Sequence, residues 1–485
     1  MPMKDERVRD AAIMQSSRME ASAQVDLGNE WRRTGHFAEA LACYQQAIAL
    51  SPDFARAYCC LGDLLYHAEH LAEAETCFRQ ALSLDPVHVG AQVNLSVILT
   101  RTNRLTEAEV AARRVLEIAP GNAVGEYNLA LVLLKLGDYA RGWPLHEARY
   151  ADSPDWDNTM GHQKLPLRLP IARWQGESLE GKSLLVYCEQ GLGDALQFAR
   201  YFPLLKAQGV ARLTIACEPP LKRLFRGIKC VDEIIFPGSP VELFPYDYWC
   251  MSMSLPFRFG TTLETIPASL PYVGIPENCR RRWKQRLRQR LPPGQPRVGL
   301  VWAGSPRPTD AVLNATDRRR SIHLGALLPI LQIPNITFVS LQKGDDARSQ
   351  LHALPPALRP VDLMDEVEDF VDTGAIIQNL DLVVTVDTSV AHLTGALNMP
   401  VWILSRYDGC WRWLQNRDDS PWYPGVARLF RQERAGDWDA VVARVVAELR
   451  SRFAGIVSGS ALAVGLDVRG QTGGLVGEQV SASTV

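Results

Sequence analysis

The chain has 485 residues, of which 47% are hydrophobic and 22% charged, and its formal net charge is −2. This mixture is typical of globular domains, and the length predicts two or three of them. The near-zero net charge argues against a nucleic-acid-binding protein, because such proteins carry a marked basic excess. No run of about 18 apolar residues is present, so no transmembrane segment is predicted. The ten cysteines form no Cys-any-any-Cys pair and no signal peptide opens the chain, so we expect a cytoplasmic protein.

Residues 27 to 150 repeat with a period of 34. Leucines, small residues and prolines recur at this spacing: Leu27, Leu61, Leu95 and Leu129; Gly28, Gly62, Ser96 and Ala130; Pro52, Pro86 and Pro120. The pattern resembles the tetratricopeptide repeat (TPR), in which small residues let paired helices approach and proline ends the second helix. We predict a TPR α-solenoid over residues 20–150, either a cap on the following domain or a groove for a peptide or protein partner.

After the repeats the sequence follows a different pattern. Residues 151–181 are rich in proline and polar side chains, which predicts a linker. Short apolar strands then alternate with helical segments, which predicts two Rossmann-like lobes with doubly wound parallel sheets, at 182–278 and 295–455. Between them, residues 279–294 form a basic helix, read as an exposed face or as a contact for a membrane or an acidic partner. Residues 456–485 lack periodicity and are predicted to be disordered.

Ligands of open parallel sheets bind beyond the carboxyl ends of the strands, so the loops that leave strands are the candidate sites. Four such loops carry polar or glycine-rich motifs. Their candidate ligand-contacting residues are Gly191, Gly193 and Asp194; Gly304, Ser305, Arg320 and Ser321; Gln342; and Asp387, Thr388, Ser389 and His392.

Each motif has a structural and a functional interpretation. Asp194 is either a helix cap or a general base. The glycines Gly191 and Gly193 also resemble part of an NAD-binding motif, but the Asp194 carboxylate would repel the pyrophosphate of a dinucleotide, so the evidence for an NAD site is weak. Asp387, Thr388 and Ser389 are either caps or, with His392, a seat for a diphosphate at a helix N-terminus. Arg320 either grips phosphate or forms a surface ion pair.

The motifs "GLGDALQFARYFPLLK" and "TVDTSVAHLTGALNMPVW" carry a further resemblance. Residues 182 to 452 resemble the heptosyltransferase type of glycosyltransferase, family 9, with a GT-B fold. The resemblance implies inverting transfer of a sugar from a nucleotide-diphosphate donor, with no metal cofactor. Asp194 matches the family's proposed base, and Thr388, Ser389 and His392 match its diphosphate-binding turn. It also implies that Asp387 lies beside the donor sugar and that Arg320 takes the place of a lysine that neutralises the leaving phosphate.

Several expectations remain open at this stage. The acceptor is a glycan or a protein, with the repeats recruiting it or a partner, and the enzyme would act in the cytoplasm or at the inner membrane surface. The alternatives are a TPR scaffold with an inactive GT-B domain, or an enzyme that isomerises or hydrolyses a nucleotide sugar. The aromatic cluster Trp411, Trp413, Trp422 and Tyr423 is expected to pack against the C-terminal helix rather than on a sugar.

Overall fold

The computed structural model describes residues 2–150, 169, 171–237 and 246–454. A helical array comes first, followed by two parallel β-sheets with helices on their faces. The helices of the array are α1 (Pro2–Arg33), α2 (Phe37–Leu50), α3 (Ala55–His67), α4 (Leu71–Leu84), α5 (Val89–Arg101), α6 (Leu105–Ile118), α7 (Ala123–Leu136) and α8 (Tyr139–His146). The predicted tail at 456–485 and most of the predicted linker lie outside the described residues.

The helix positions confirm the repeat that the sequence predicts. Helices α2, α4, α6 and α8 begin at residues 37, 71, 105 and 139, and α3, α5 and α7 at 55, 89 and 123, so both series keep a spacing of 34. The three repeat prolines each stand two residues after a helix ends, where a residue without an N–H cannot prolong it. Helix α1 begins at Pro2, well before the predicted start of the array at residue 20.

The small residues of the repeat are required by close helix packing. A Cβ atom added to Gly62 would lie 2.8 Å from Cε1 of Phe78, and one added to Gly28 would lie 2.6 Å from Cε1 of Tyr44. Phe78 and Tyr44 are fully buried on the second helix of the same unit. The glycine at this position therefore lets an aromatic ring of the paired helix pack directly against the backbone.

The first sheet contains five parallel strands in the order β1-β5-β2-β3-β4. These strands are β1 (Ala172–Arg173), β2 (Ser183–Tyr187), β3 (Arg212–Ala216), β4 (Glu233–Ile235) and β5 (Tyr248–Met251). Its helices are α9 (Leu192–Phe198), α10 (Phe202–Ala207), α11 (Lys222–Arg226) and α12 (Leu255–Arg258). Strand β1 falls within the predicted linker, because two residues that pair with β5 suffice for an edge strand but leave no periodicity to read.

The second sheet contains six parallel strands in the order β11-β10-β9-β6-β7-β8. These strands are β6 (Arg297–Val301), β7 (Thr337–Ser340), β8 (Val361–Asp362), β9 (Leu382–Val386), β10 (Val401–Ser405) and β11 (Ala427–Arg431). The predicted basic helix is α13 (Glu277–Arg290), which precedes this sheet. The remaining helices are α14 (Ala311–Arg320), α15 (Leu328–Leu331), α16 (Asp345–Ala353), α17 (Phe370–Ile377), α18 (Ser389–Ala396) and α19 (Trp438–Arg452). Both sheets are thus parallel, as predicted.

The last helix of the array shares a hydrophobic core with both sheets. Tyr139 and Trp143 of α8 are buried there. The ring of Trp411 lies 5.3 Å from that of Trp143, and Nε1 of Trp422 donates a hydrogen bond of 2.9 Å to Oη of Tyr139. The aromatic cluster is therefore buried as expected, but its predicted partner is wrong. The C-terminal helix α19 packs with a different core around Trp402.

We predict opposite effects for two glycine substitutions in the array. G62A should lower the free energy of unfolding by about 1–3 kcal/mol, because the added methyl group overlaps Phe78. G90A should raise it by up to about 1 kcal/mol, because helix α5 leaves room there and alanine restricts the unfolded chain. Urea unfolding of both variants measures the difference. Equal changes in the two variants would contradict the close packing at Gly62.

Candidate functional site

The predicted site residues gather where strands of the two sheets end. In each sheet the chain reverses its winding direction between two neighbouring strands: β2 and β5 in the first sheet, and β6 and β9 in the second. Such a switch point opens a crevice beyond the carboxyl ends of the strands, which is where ligands of these sheets bind. The loop at 188–191 follows β2, the loop at 302–310 follows β6, and the turn at 387–388 follows β9. Three of the four candidate loops named from the sequence therefore lie at switch points.

The first loop leads into helix α9, which begins at Leu192. Gln190 adopts a left-handed backbone conformation, with φ of 62°, and turns the chain from the strand into the helix. The backbone N–H of Gly191 then donates a hydrogen bond of 2.9 Å to Oδ2 of Asp194. Gly191 is therefore the N-cap of α9, and Asp194 is not the cap residue itself but stabilises the first turn from the third helical position.

The two lobes touch at the starts of helices α9 and α18. A Cβ atom added to Gly193 would lie 2.8 Å from Cδ2 of His392 and 3.3 Å from Cα of Ser389. The helix backbones can approach this closely because residue 193 has no side chain. The contact brings Gly191, Gly193 and Asp194 of the first lobe beside the turn at residues 387–392 of the second.

A buried arginine occupies the free oxygen of Asp194. Nη2 of Arg412 donates to Oδ1 of Asp194, Nε donates to Oε1 of Gln197 at 2.5 Å, and Nη1 lies 3.1 Å from Sγ of Cys410. Burial is the largest single influence and lowers the pKa of Arg412, but Asp194, Cys410 and Asp387 together outweigh it, so the pKa of Arg412 is raised. Both oxygens of Asp194 therefore accept hydrogen bonds, and its negative charge is balanced by that of Arg412.

The turn after β9 presents a helix N-terminus between the lobes. Thr388 takes an extended conformation as the N-cap of α18, and its side chain does not cap the helix. Its Oγ1 instead lies 3.1 Å from Oγ1 of Thr385. Within the described residues, the Asp387 carboxylate forms no hydrogen bond or ion pair, and Ser389 is half-buried. The positive end of the helix dipole thus lies at these half-buried residues.

His392 is buried rather than facing solvent. Its ring stacks on Trp413 with 5.4 Å between centroids, and Nδ1 lies 2.8 Å from Oη of Tyr423. Burial, reinforced by the charge of Arg412, lowers the pKa of His392 to about 3. The imidazole is therefore neutral at pH 7, and it can offer an anion a hydrogen bond but no positive charge.

Arg320 connects the loop after β6 to the turn after β9. Its Nε and Nη2 donate to Oδ1 of Asp317 at 2.9 and 2.8 Å, and Nη1 donates to the carbonyl oxygen of Asp387 at 3.2 Å. Gly304 lies directly beside the side chains of Asp317 and Arg320, and any side chain at position 304 would overlap them. The backbone N–H of Gly304 also donates to Oγ of Ser321 at 3.0 Å. These five residues form one hydrogen-bonded wall of the second lobe's switch point.

The remaining two candidates differ in exposure. Gln342 is 2% exposed, and its Oε1 accepts hydrogen bonds of 3.0 and 2.9 Å from the backbone N–H groups of Trp302 and Ala303. Gln342 therefore holds the start of the loop in place, and its side-chain amide oxygen is occupied by these two backbone N–H groups. Ser305 is exposed at the rim of the same loop.

Two charged groups of the site were not predicted from the sequence. Arg412 and Arg406 both lie between β10 and β11. Nε of Arg406 donates to Oδ1 of Asp408 at 2.7 Å, directly after β10 and beside β9. The sequence signal for Arg412 was an arginine between two tryptophans, since a cation within a buried aromatic segment needs a carboxylate. Arg406 could have been found because it follows a strand end at the same sheet edge.

The described ranges contain neither a metal-binding cluster nor a membrane-spanning helix. No three His, Cys, Asp or Glu side chains there are placed to hold a metal ion. No described helix is long and apolar enough to cross a membrane. The sequence Asp-Trp-Asp, a pattern that can hold a metal, occurs at 155–157 and at 437–439. The first lies outside the described residues, and in the second Asp437 caps α19 by accepting a 3.1 Å hydrogen bond from the N–H of Ala440.

Comparison with known proteins identifies the array. Residues 24–151 match the family described as Cilia and flagella-associated protein 70 middle TPR-like domain, so the chain contains a TPR-like domain. The chain is also 30% identical over 337 residues to Protein FlbA of Caulobacter vibrioides, an alignment that covers 65% of this chain and 53% of that protein. The chain thus spans about half the length of this curated relative.

Solved structures similar to part of this chain include two TPR proteins. The first TPR of Spaghetti (RPAP3) bound to an HSP90 peptide is 22% identical, with a TM-score of 0.23, and covers 24% of this chain and 91% of that one. YrrB, a TPR protein with an unusual peptide-binding site, is 20% identical, with a TM-score of 0.25, and the match covers 29% of this chain and 71% of YrrB. An N-terminal TPR-like array followed by two parallel sheets is the architecture of this chain.

The buried His392 predicts a specific loss of stability in acid. The unfolded chain binds a proton at histidine near pH 6.5, whereas the folded chain binds it only near pH 3. Stability is therefore complete above about pH 6.5 and falls as the pH drops, by up to about 1.4 kcal/mol per pH unit. Denaturant unfolding between pH 7 and 4 should show a smaller loss in H392Q than in the wild type.

The matched control for this experiment is H352Q, which changes an exposed histidine. It should keep the acid loss of the wild type. An H392Q variant whose stability falls as steeply as that of the wild type would contradict the neutral, buried state of His392.

Proposed function

We propose that the protein is an inverting, metal-independent glycosyltransferase with a GT-B fold of the heptosyltransferase type. It would move a sugar from a nucleotide-diphosphate donor to a hydroxyl acceptor. One observation carries the proposal: Arg320 and the uncapped N-terminus of α18 meet at the switch point between β6 and β9, facing Asp194 of the other lobe. Such a place suits a diphosphate on one side and a proton acceptor on the other.

The second lobe would hold the donor. Its diphosphate would lie on the N–H groups at the start of α18, beside Thr388 and Ser389, while Arg320 stabilises the charge that develops as the diphosphate leaves. Gly304 and Ser305 would allow the loop backbone to approach the nucleotide, and Gln342 would fix that loop. Asp387, whose carboxylate has no partner within the described residues, would contact the sugar.

Asp194 would act as general base once Arg412 releases it. The ion pair between them describes a resting state, in which the base is neutralised. An incoming diphosphate brings a second anion to within reach of the same guanidinium, and the two anions compete for it. In the proposed mechanism, donor binding draws Arg412 toward the phosphates and frees Asp194 to take the proton of the acceptor hydroxyl.

The array would recruit the acceptor or a partner. The RPAP3 TPR domain described above was solved with a bound peptide, and we extend that mode of recognition to a glycan-bearing or protein acceptor here. The reaction would take place in the cytoplasm, where the ten cysteines, all free thiols, remain reduced. The donor would be the sole co-substrate, with no metal or other cofactor.

A TPR scaffold without catalysis is the second candidate. Two observations favour it: Asp194 is held by Arg412, and His392 is neutral and packed between Trp413 and Tyr423. In such a scaffold the ion pair of Asp194 with Arg412 would be permanent and would hold the two lobes in a fixed arrangement. The two candidates differ in whether a nucleotide diphosphate binds.

Calorimetric titration of the full chain with ADP, UDP and GDP tests the proposal. One of the three should bind, and R320Q should weaken its binding by about 10- to 100-fold, because a hydrogen-bonded charge on phosphate contributes about 1.5–3 kcal/mol. D194N should bind the nucleotide at least as tightly as the wild type, because its neutral amide competes less well for Arg412, but it should lose about 100-fold or more in transfer of sugar from the matching donor.

The matched control is R318Q, which removes an exposed arginine from the same helix turn. It should bind like the wild type. Binding of none of the three nucleotides would favour the scaffold, and full transfer by D194N would remove Asp194 from its role.

A further inference from the structure

Helix α13 carries an unusual excess of positive charge. Its sequence from Glu277 to Arg290 contains six arginines and one lysine against a single glutamate. Trp283 and Leu287 are its buried side chains and anchor it to the protein. Nε1 of Trp283 also donates a 2.9 Å hydrogen bond to Oδ1 of Asp372 in α17. The helix is therefore fixed in place, and its charge is presented by a rigid element.

The two flanks of the helix differ in how their charge is balanced. At 100° per residue, Arg282 and Arg286 lie on one flank. Arg282 pairs there with Asp372, and Arg286 pairs with Glu366 at 2.6 Å. The acids of the second lobe thus neutralise this flank.

The opposite flank carries a row of three cations, Arg281, Lys284 and Arg288, which we name the basic stripe. Arg281 is 73% exposed and approaches Glu277 only to 3.9 Å. Lys284 and Arg288 are exposed and form no ion pair among the residues that the structure describes. Their spacing of three and four residues places all three along the same side of the helix. The stripe is therefore a line of cations directed at solvent.

This arrangement costs the helix local stability. Lys284 stands four residues from both Arg280 and Arg288, and like charges at that spacing repel by a few tenths of a kcal/mol per pair. A glutamate at any of these positions would turn repulsion into attraction. A local conflict of this kind is expected at functional or strained sites, which makes the stripe a candidate for a binding surface.

The stripe fits an anionic lipid surface better than other polyanions. No large hydrophobic side chain of α13 is exposed, whereas a protein interface needs an apolar core. The net charge of −2 differs from the general basic excess of nucleic-acid-binding proteins. Adsorption to anionic lipid headgroups needs neither an exposed apolar core nor an overall basic charge, because it depends on cations close to the negatively charged membrane surface.

We propose that the protein docks on anionic membrane surfaces through Arg281, Lys284 and Arg288. The contact is electrostatic and peripheral, because the apolar face of α13 is already buried in the protein. The proposal does not depend on the glycosyltransferase function. It would orient the second lobe, to which α13 is fixed, relative to the membrane.

Vesicle cosedimentation with the full chain tests the docking. The wild type should bind vesicles of phosphatidylglycerol mixed with phosphatidylcholine, should not bind phosphatidylcholine alone, and should be released by salt. R281Q/K284Q/R288Q should lower the partition coefficient by about 100-fold, at roughly fivefold per cation. Its Tm should equal or exceed that of the wild type, since the substitutions relieve repulsion.

The matched control, R113Q/R114Q/R450Q, removes three exposed arginines from other surfaces and should bind like the wild type. Equal partitioning of the stripe variant and the wild type would overturn the proposal. Equal binding of the wild type to neutral and anionic vesicles would also overturn it. Binding of the stripe to duplex DNA, with none to vesicles, would overturn it in favour of a nucleic acid.

Discussion

The approach of Gly193 to His392 is the constraint on which the site depends. It joins the first turns of α9 and α18, and only a residue without a side chain fits there. Because these turns meet, Asp194 of the first lobe comes within reach of Arg412 of the second, and the N-terminus of α18 faces the loop after β2. The imidazole of His392 cannot move away from an added side chain, because it stacks on Trp413 and hydrogen-bonds to Tyr423. A small residue thus sets the distance between the groups proposed to bind and to react.

The segment after β10 connects this contact to the repeat array. Asn103 of the array donates a 2.6 Å hydrogen bond to the carbonyl oxygen of Tyr407, and Tyr139 accepts one from Trp422. Arg149, just after α8, donates to both oxygens of Glu189 in the loop that leads to Gly191. The array therefore holds both lobes next to the site, instead of standing apart as a separate module. The last repeat therefore contacts both the segment that carries Arg412 and the loop that leads to Gly191.

Local patterns in the sequence predicted the repeats, both parallel sheets and the loops that carry the site. These features follow from periodicity, from glycine and proline positions and from strand ends, each of which is readable within a few residues. The ion pair of Asp194 with Arg412 could not be predicted, because its partners are 218 residues apart and neither local sequence identifies the other as its partner. The aromatic cluster was assigned to the wrong partner for the same reason: burial is predictable from composition, whereas the surface that buries it is set by the tertiary fold. The neutral state of His392 likewise depends on Trp413 and Tyr423, which no helix position indicates.

Amide hydrogen exchange of the full-length G193A variant tests the central claim most directly. The account predicts faster exchange in both α9 and α18, since the added methyl group forces apart the two helix starts that hold each other. The same measurement on G274A, where an added Cβ meets nothing within 4 Å, should match the wild type. Exchange in G193A that is unchanged in either helix would contradict the account, because the two lobes would then be held at their separation by something other than this contact.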